Sequence, residues 1–383
     1  MGIGSGSRDT VNVARLHEFM DRERLAAVVA RSGQNLTYLS GIAYPGTLAR
    51  HVDITDSTRG VLLLWPRHGD PVIVLNAIAE KLTLRDSWVK RVSVYDAYNE
   101  SPYARLCEVI KEAGLEGERI GFEKNYVSAE HWEEVRRGLP RVEMVDCNRM
   151  MDAVRWVKTP AELTLLRKGA DLLDAAYAEV FPTITHGETE RAVHSRLIGS
   201  CIRRGANWAH GILNSHRNTI PYAGESDELF LRGDVVRTDY VAYLDGYPGH
   251  QSRVAILGKP SAALRDDYAR YRDAYVKIID HCRPGVTAGG VYNFAVETFG
   301  KLGWQYTSIL VGHSVGAWWH QQEPIVARGR DLTLEEGMVL ALEPHGLNPG
   351  PGFLHLQDMA VVRRNGPELL SAKFSTNEMF VIE

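Results

Sequence analysis

Two carboxylates stand in strand-like segments that are otherwise apolar. Asp239 interrupts Asp234-Val-Val-Arg-Thr-Asp-Tyr-Val-Ala-Tyr-Leu244, whose alternation predicts a strand, and Glu343 ends the apolar run that starts at Met338. A carboxylate in such a place is costly unless it is paired or ligated. One alone reads as a structural salt bridge. Two of them, with His250, His313 and His320 at strand ends, predict a shared polar pocket built on antiparallel sheet. Asp245-Gly246 turns the first strand back, and Gln251 to Leu257 reads as its return.

The rest of the chain supplies the setting. With 383 residues it is long enough for two domains. The first ~150 residues read as mixed α/β. Val11 to Ala30 follows a helical period. Gly60 to Trp65 and Pro71 to Leu75 form a hairpin about a polar loop. Ala104 to Ala113 is a helix closed by Gly114, Arg119 to Phe122 a strand, and Ala129 to Leu139 a helix stopped by Pro140. Thr159-Pro160-Ala161-Glu162 has the form of a helix start, with Thr as N-cap and Glu three residues on. The boundary is placed at 153–159, giving domains of 1–153 and 154–383. Helices are expected from Glu188 to Arg203, Ser261 to Cys282 and Gly290 to Gly303. Two closing strands are expected, Met338 to Leu342 and Leu354 to Val362.

Composition excludes several classes. The net charge of −4 offers no basic footprint for nucleic acid. No apolar run approaches the ~20 residues of a membrane span, and the first residues lack an apolar signal core, so a cytoplasmic protein is expected. Cys107, Cys147, Cys201 and Cys282 form no CxxC pair and read as free thiols.

From about Val11 onward the chain resembles the creatinase, aminopeptidase P and prolidase group, the pita-bread fold. The resemblance rests on five segments in order. They are Arg155-Trp-Val-Lys-Thr-Pro-Ala-Glu162; Asp239 with Asp245-Gly246-Tyr247 and Arg253; Gly312-His-Ser-Val-Gly316; Gly337-Met338 with Glu343-Pro344; and Asp358 with Val361-Val362. It implies a two-domain α/β protein, with an N-terminal creatinase-like α/β domain and a C-terminal pita-bread domain of antiparallel sheet wrapped by helices. It also implies a homodimer in which a partner's N-terminal domain lies near the active site.

The departures from the family pattern shape the functional expectation. Members that use metal hold two ions with Asp, Asp, His, Glu and Glu. Here Asp239, His313 and Glu343 match, His250 stands in place of the second Asp, and Gln357 replaces the last Glu. The histidine that the peptidases carry ahead of the hairpin strand falls at Pro221 or Tyr222. Two negative charges are lost, and neither His250 nor Gln357 can bridge two ions through a carboxylate. A two-metal peptidase is therefore not expected.

The expectation is a metal-independent, creatinase-like hydrolase of a non-peptide C–N bond in a small polar substrate, with no cofactor. Gly312-His313-Ser314 resembles the creatinase form of that motif, and the ending Lys373-Phe-Ser-Thr-Asn377 resembles the creatinase tail. In that reading His250 and His313 are base and acid, and Glu343 and Asp239 are the orienting or cation-binding carboxylates. Substrate contacts are assigned to His320, Gln357, His210, Arg253 and Trp319, and to Arg50 and Arg59 of the N-terminal domain. For His210, Trp319, Arg50 and Arg59, packing or solvation is the plain alternative. A second reading is a mononuclear metal hydrolase or lyase, Xaa-Pro peptidase-like or acting on a small molecule, that uses His250, His313 and Glu343. A third is an inactive binding module.

Overall fold

The computed structural model describes residues 6–53, 58–220, 226–347 and 354–383. The chain divides into two compact units, Met1–Glu162 and Leu163–Glu383. The boundary expected at 153–159 begins inside the helix Asn148–Trp156, which belongs to the first unit. The division comes instead at the next helix, Pro160–Val180. There the Thr159 amide donates to Glu162 and the Glu162 amide to the Thr159 hydroxyl, the reciprocal box that the sequence signalled.

The first unit is built on a six-stranded mixed sheet, with strands 92–95, 72–76, 62–66, 27–31, 119–122 and 143–146 in that spatial order. Three neighbouring strands, Ala27–Arg31, Leu62–Pro66 and Val72–Asn76, are buried at every residue, so both of their faces are covered. The hairpin read between residues 60 and 75 is present and antiparallel. The long first helix is not. Helix Val13–Glu23 ends at Arg24 in the left-handed conformation, and Ala27–Arg31 becomes a central strand. Val28 and Val29 fit the helical period, but their β-branched side chains pack better in the sheet interior.

In the second unit the Asp239 strand, Val235–Leu244, pairs on one side with Trp208–Ser215 and on the other with Tyr247–Gln251 and Val254–Leu257. The turn uses Asp245 and Gly246, both at positive φ, as a two-residue hairpin requires. The return strand starts at Tyr247, four residues earlier than expected, because this tight turn wastes no residues. Alternation then sorts the strand. Val236, Tyr240 and Ala242 join a core with Tyr177 and Phe181, which leaves Arg237, Asp239, Val241 and Tyr243 on the other face.

A second sheet runs in the order 322–327, 310–314, 339–342, 358–361 and 368–369. It carries His313 and ends one strand just before Glu343. Ser252 and Gln357 form an isolated antiparallel bridge between the two sheets. Two glycines allow close packing directly beside the histidines. A Cβ on Gly249 would stand 2.1 Å from the Gly169 carbonyl oxygen, and one on Gly312 would stand 2.2 Å from that of Ala341. No described helix is long and apolar enough to cross a membrane.

Candidate active site

The odd-numbered face of the Asp239 strand, the end of the His250 strand and the His313 strand converge. His250 lies opposite Val241, so Asp239 is its diagonal neighbour on the same face. Its Nε2 is 3.1 Å from Asp239 Oδ1. His313 lies beside it, with ring centroids 5.2 Å apart and planes inclined by 26°. The Nδ1 of His313 is 3.1 Å from the Ser314 carbonyl oxygen, to which it can only donate. Its Nε2 lone pair is thereby left toward Glu343 Oε1 at 3.7 Å. The other Glu343 oxygen lies 3.4 Å from His355 Nε2. The site therefore holds three acid–imidazole contacts, Asp239 with His250 and Glu343 with both His313 and His355, and the three rings are nearly inaccessible to solvent.

A wall of rings flanks these pairs. His320 meets His250 edge-on at 4.8 Å and touches Trp319 at 4.4 Å. Its Nδ1 is fixed 2.8 Å from the Tyr243 hydroxyl. His210 packs between Trp208 and His320, with its buried Nε2 unpartnered. Burial keeps these imidazoles neutral. It pushes His210 down to about 4, and His320, with the nearby His250, His210 and His313 adding to the effect, down to about 2. Burial, with His250 adding to it, also lowers His313. His355 falls to about 3 through burial and the nearby Arg237. Burial raises Glu343. Burial would raise Asp239 as well, but the His250 hydrogen bond and the surrounding positive charge win, and its carboxyl lies below the usual range.

The structure thus brings together Asp239, His210, His250, His313, His320, Trp319, Glu343 and Gln357. Arg253 is placed behind them. It is fully buried, with its Nη1 and Nη2 committed to Asp174, Asp358 and the carbonyls of Ser252 and Gln357. Gln357 is also fully buried and faces His250 and Ser252. Arg50 and Arg59 belong to the first unit. Arg50 is exposed on the helix Gly46–Asp53, and Arg59 lies over the Tyr98 ring. Pro221 and Tyr222 lie outside the described residues. The sequence reading missed Arg237, Tyr243 and Ser252. A signal was present, since Arg237 and Tyr243 keep the parity of Asp239 and Ser252 keeps that of His250.

Comparison with known proteins decides the family. The profile of metallopeptidase family M24 matches residues 164–364, more than half of the chain. The chain belongs to this family. The creatinase/prolidase N-terminal domain matches residues 12–157 ahead of it. Among similar proteins, the Xaa-Pro dipeptidase of Lactobacillus delbrueckii subsp. lactis is 26% identical over 360 residues, covering 91% of this chain and 95% of the relative. That of Pyrococcus horikoshii is 24% identical over 364 residues, covering 94% and 96%. The crystal structure of dipeptidase PepE from Mycobacterium ulcerans superposes with a TM-score of 0.78 at 25% identity, over 97% of this chain and 96% of the other. The two-domain, pita-bread architecture is therefore as expected.

The metal-independent, creatinase-type branch is a correction. An M24 metallopeptidase whose similar relatives are named Xaa-Pro dipeptidases does not fit a metal-free enzyme confined to non-peptide bonds. The sequence reading took two missing carboxylates as the loss of metal chemistry. The charge argument spoke against a pair of ions only, and the second sequence reading, a metal-dependent hydrolase of the Xaa-Pro peptidase kind, fits these relatives better. Among the described residues no three His, Cys, Asp or Glu side chains are grouped so that, as they stand, they could hold an ion. The donor chemistry nevertheless fits a single divalent ion. Two carboxylates balance its charge, and imidazole with carboxylate suits zinc, cobalt or iron. The 3.1 Å between His250 Nε2 and Asp239 Oδ1 is also compatible with both binding one ion at ~2.1 Å.

Proposed function

We propose that this chain is a metal-dependent hydrolase of the Xaa-Pro dipeptidase kind that works with one divalent ion. The observation that carries this reading is the pair of acid–imidazole contacts, Asp239 with His250 and Glu343 with His313, on adjoining strands in the region matched by the metallopeptidase family. Those four residues hold the ion. When bound, it supplies Lewis-acid polarisation of the scissile carbonyl.

The protein's own groups do the rest. His320, neutral and fixed through Nδ1 by Tyr243, presents Nε2 to the substrate as a hydrogen-bonding group rather than a charge. His210 stacks near the Trp208 and Trp319 rings and extends the wall beside His320. The rings form an apolar, partly dry wall suited to a compact cyclic residue. The protein is taken to act as a homodimer, as the family resemblance implies; sedimentation as a monomer would reject the dimer.

The test is turnover on a panel of Xaa-Pro dipeptides before chelation, after it, and after return of manganese, cobalt or zinc. Activity that disappears with the chelator and returns with metal supports the reading. A panel with no cleaved member under any metal overturns it.

A further inference from the structure

Gln357 stands where the family resemblance leads one to expect a glutamate, and the structure gives it a task. It is fully buried. The Ser252 hydroxyl donates to its Oε1 at 3.1 Å, and its Nε2 lies 3.3 Å from His250 Nδ1. In this structure the amide is turned so that Oε1 faces Ser252 and Nε2 faces His250. The backbones of Ser252 and Gln357 exchange two further bonds, both 3.2 Å. Arg253 locks the junction. Its Nη1 donates to the carbonyls of Ser252 and Gln357 at 3.0 and 2.8 Å, and its Nη2 pairs with Asp174 and Asp358 at 3.1 and 2.9 Å.

An amide nitrogen only donates. His250 Nδ1 must therefore accept, and Nε2 must carry the ring hydrogen, which it donates to Asp239 Oδ1. Side chains on two sheets thus dictate one tautomer. We propose that Ser252 and Gln357 are positioning residues that set the tautomer of His250, and that the same relay reverses when an ion is taken up. In the second setting the Gln357 amide turns over. Its Oε1 accepts from His250 Nδ1–H and its Nε2 donates to the Ser252 oxygen, which can act in either sense. The ring hydrogen on Nε2 is exchanged for one on Nδ1, and the Nε2 lone pair then faces Asp239. A glutamate at 357 could only accept and would fix Nδ1–H permanently. The glutamine serves both settings, as an outer partner of the kind that orients metal-binding histidines. The second setting rests on the one-ion reading above; the first does not.

The experiment uses the full chain labelled with 15N-histidine, with His250 assigned by the signals lost in H250N. In chelator-treated protein the long-range 1H–15N pattern of His250 should be that of the Nε2–H tautomer, and in Q357E that of Nδ1–H. S252A, a small change, should mix the tautomers and weaken cobalt binding about 10-fold, at the low end of what outer-partner changes cost. An Nδ1–H pattern in the chelated wild type, or an S252A protein unchanged in both tautomer and cobalt affinity, overturns the proposal. If the tautomers behave as described but no cobalt binds, the first setting stands, and the second falls with the one-ion reading.

Discussion

His250 Nε2 lies 3.1 Å from Asp239 Oδ1, across a strand pair in which His250 is opposite Val241. The contact joins the residue that departs from the family's ligand pattern to the one that keeps it. It predicts that neither holds an ion well alone. D239N keeps the hydrogen bond but removes the charge. Isothermal titration with cobalt should show affinity weakened at least 10-fold while the melting temperature stays within a few degrees. Unchanged affinity would mean that Asp239 is a structural partner only.

His320 is predicted to act on substrate and not on the ion. Its Nδ1 is taken by Tyr243, and it contacts the ring wall. H320A should raise KM or lower kcat/KM by 10-fold or more at an unaltered metal content, and Y243F should do so by a smaller factor. Loss of metal from H320A would place His320 among the ligands.

Arg253 is predicted to be a stability residue. Its charge is fully buried between Asp174 and Asp358, and R253M would leave two carboxylates uncompensated at a cost of about 3–5 kcal/mol. Chemical denaturation of R253M against the wild type measures this. A cost under 1 kcal/mol would contradict it.

In the first unit, burial raises the Glu123 carboxyl to about 7, although the Arg31 amide and the Asn35 side chain each donate to it at 2.6 Å. A raised folded pKa means that the folded state holds this proton more tightly than the unfolded chain. The associated stability is present below about 4.5 and is lost as pH rises toward 7. The loss is roughly 1.4 kcal/mol per pH unit within that window. Denaturation of the wild type at pH 5 and 8 should show it, and E123Q should flatten it. An equal slope in E123Q would assign the effect elsewhere.

Much of this was legible in the sequence, and the failures have physical causes. Asp239 and Glu343 betrayed the pocket because a charge in an apolar strand needs a partner. Thr159 and Glu162 betrayed a helix start because capping is local. The helix read through Val28 failed because sheet burial overrode a short-range period. Arg253 was taken as a substrate contact because its two carboxylate partners lie 79 and 105 residues away, at Asp174 and Asp358, beyond any local pattern. Counting lost charges judged the metal wrongly because a sum does not reveal how the remaining donors pair. That pairing is visible only in the structure, as Asp239 with His250 at 3.1 Å and Glu343 with His313 at 3.7 Å.

The central claim is one ion, not two and not none. Elemental analysis of protein loaded with cobalt and freed of excess, read beside turnover of an Xaa-Pro dipeptide, tests it most directly. The account predicts close to one equivalent per chain, with activity that tracks occupancy to that point and no further. Two equivalents, or full turnover in protein holding less than a tenth of an equivalent, would contradict it.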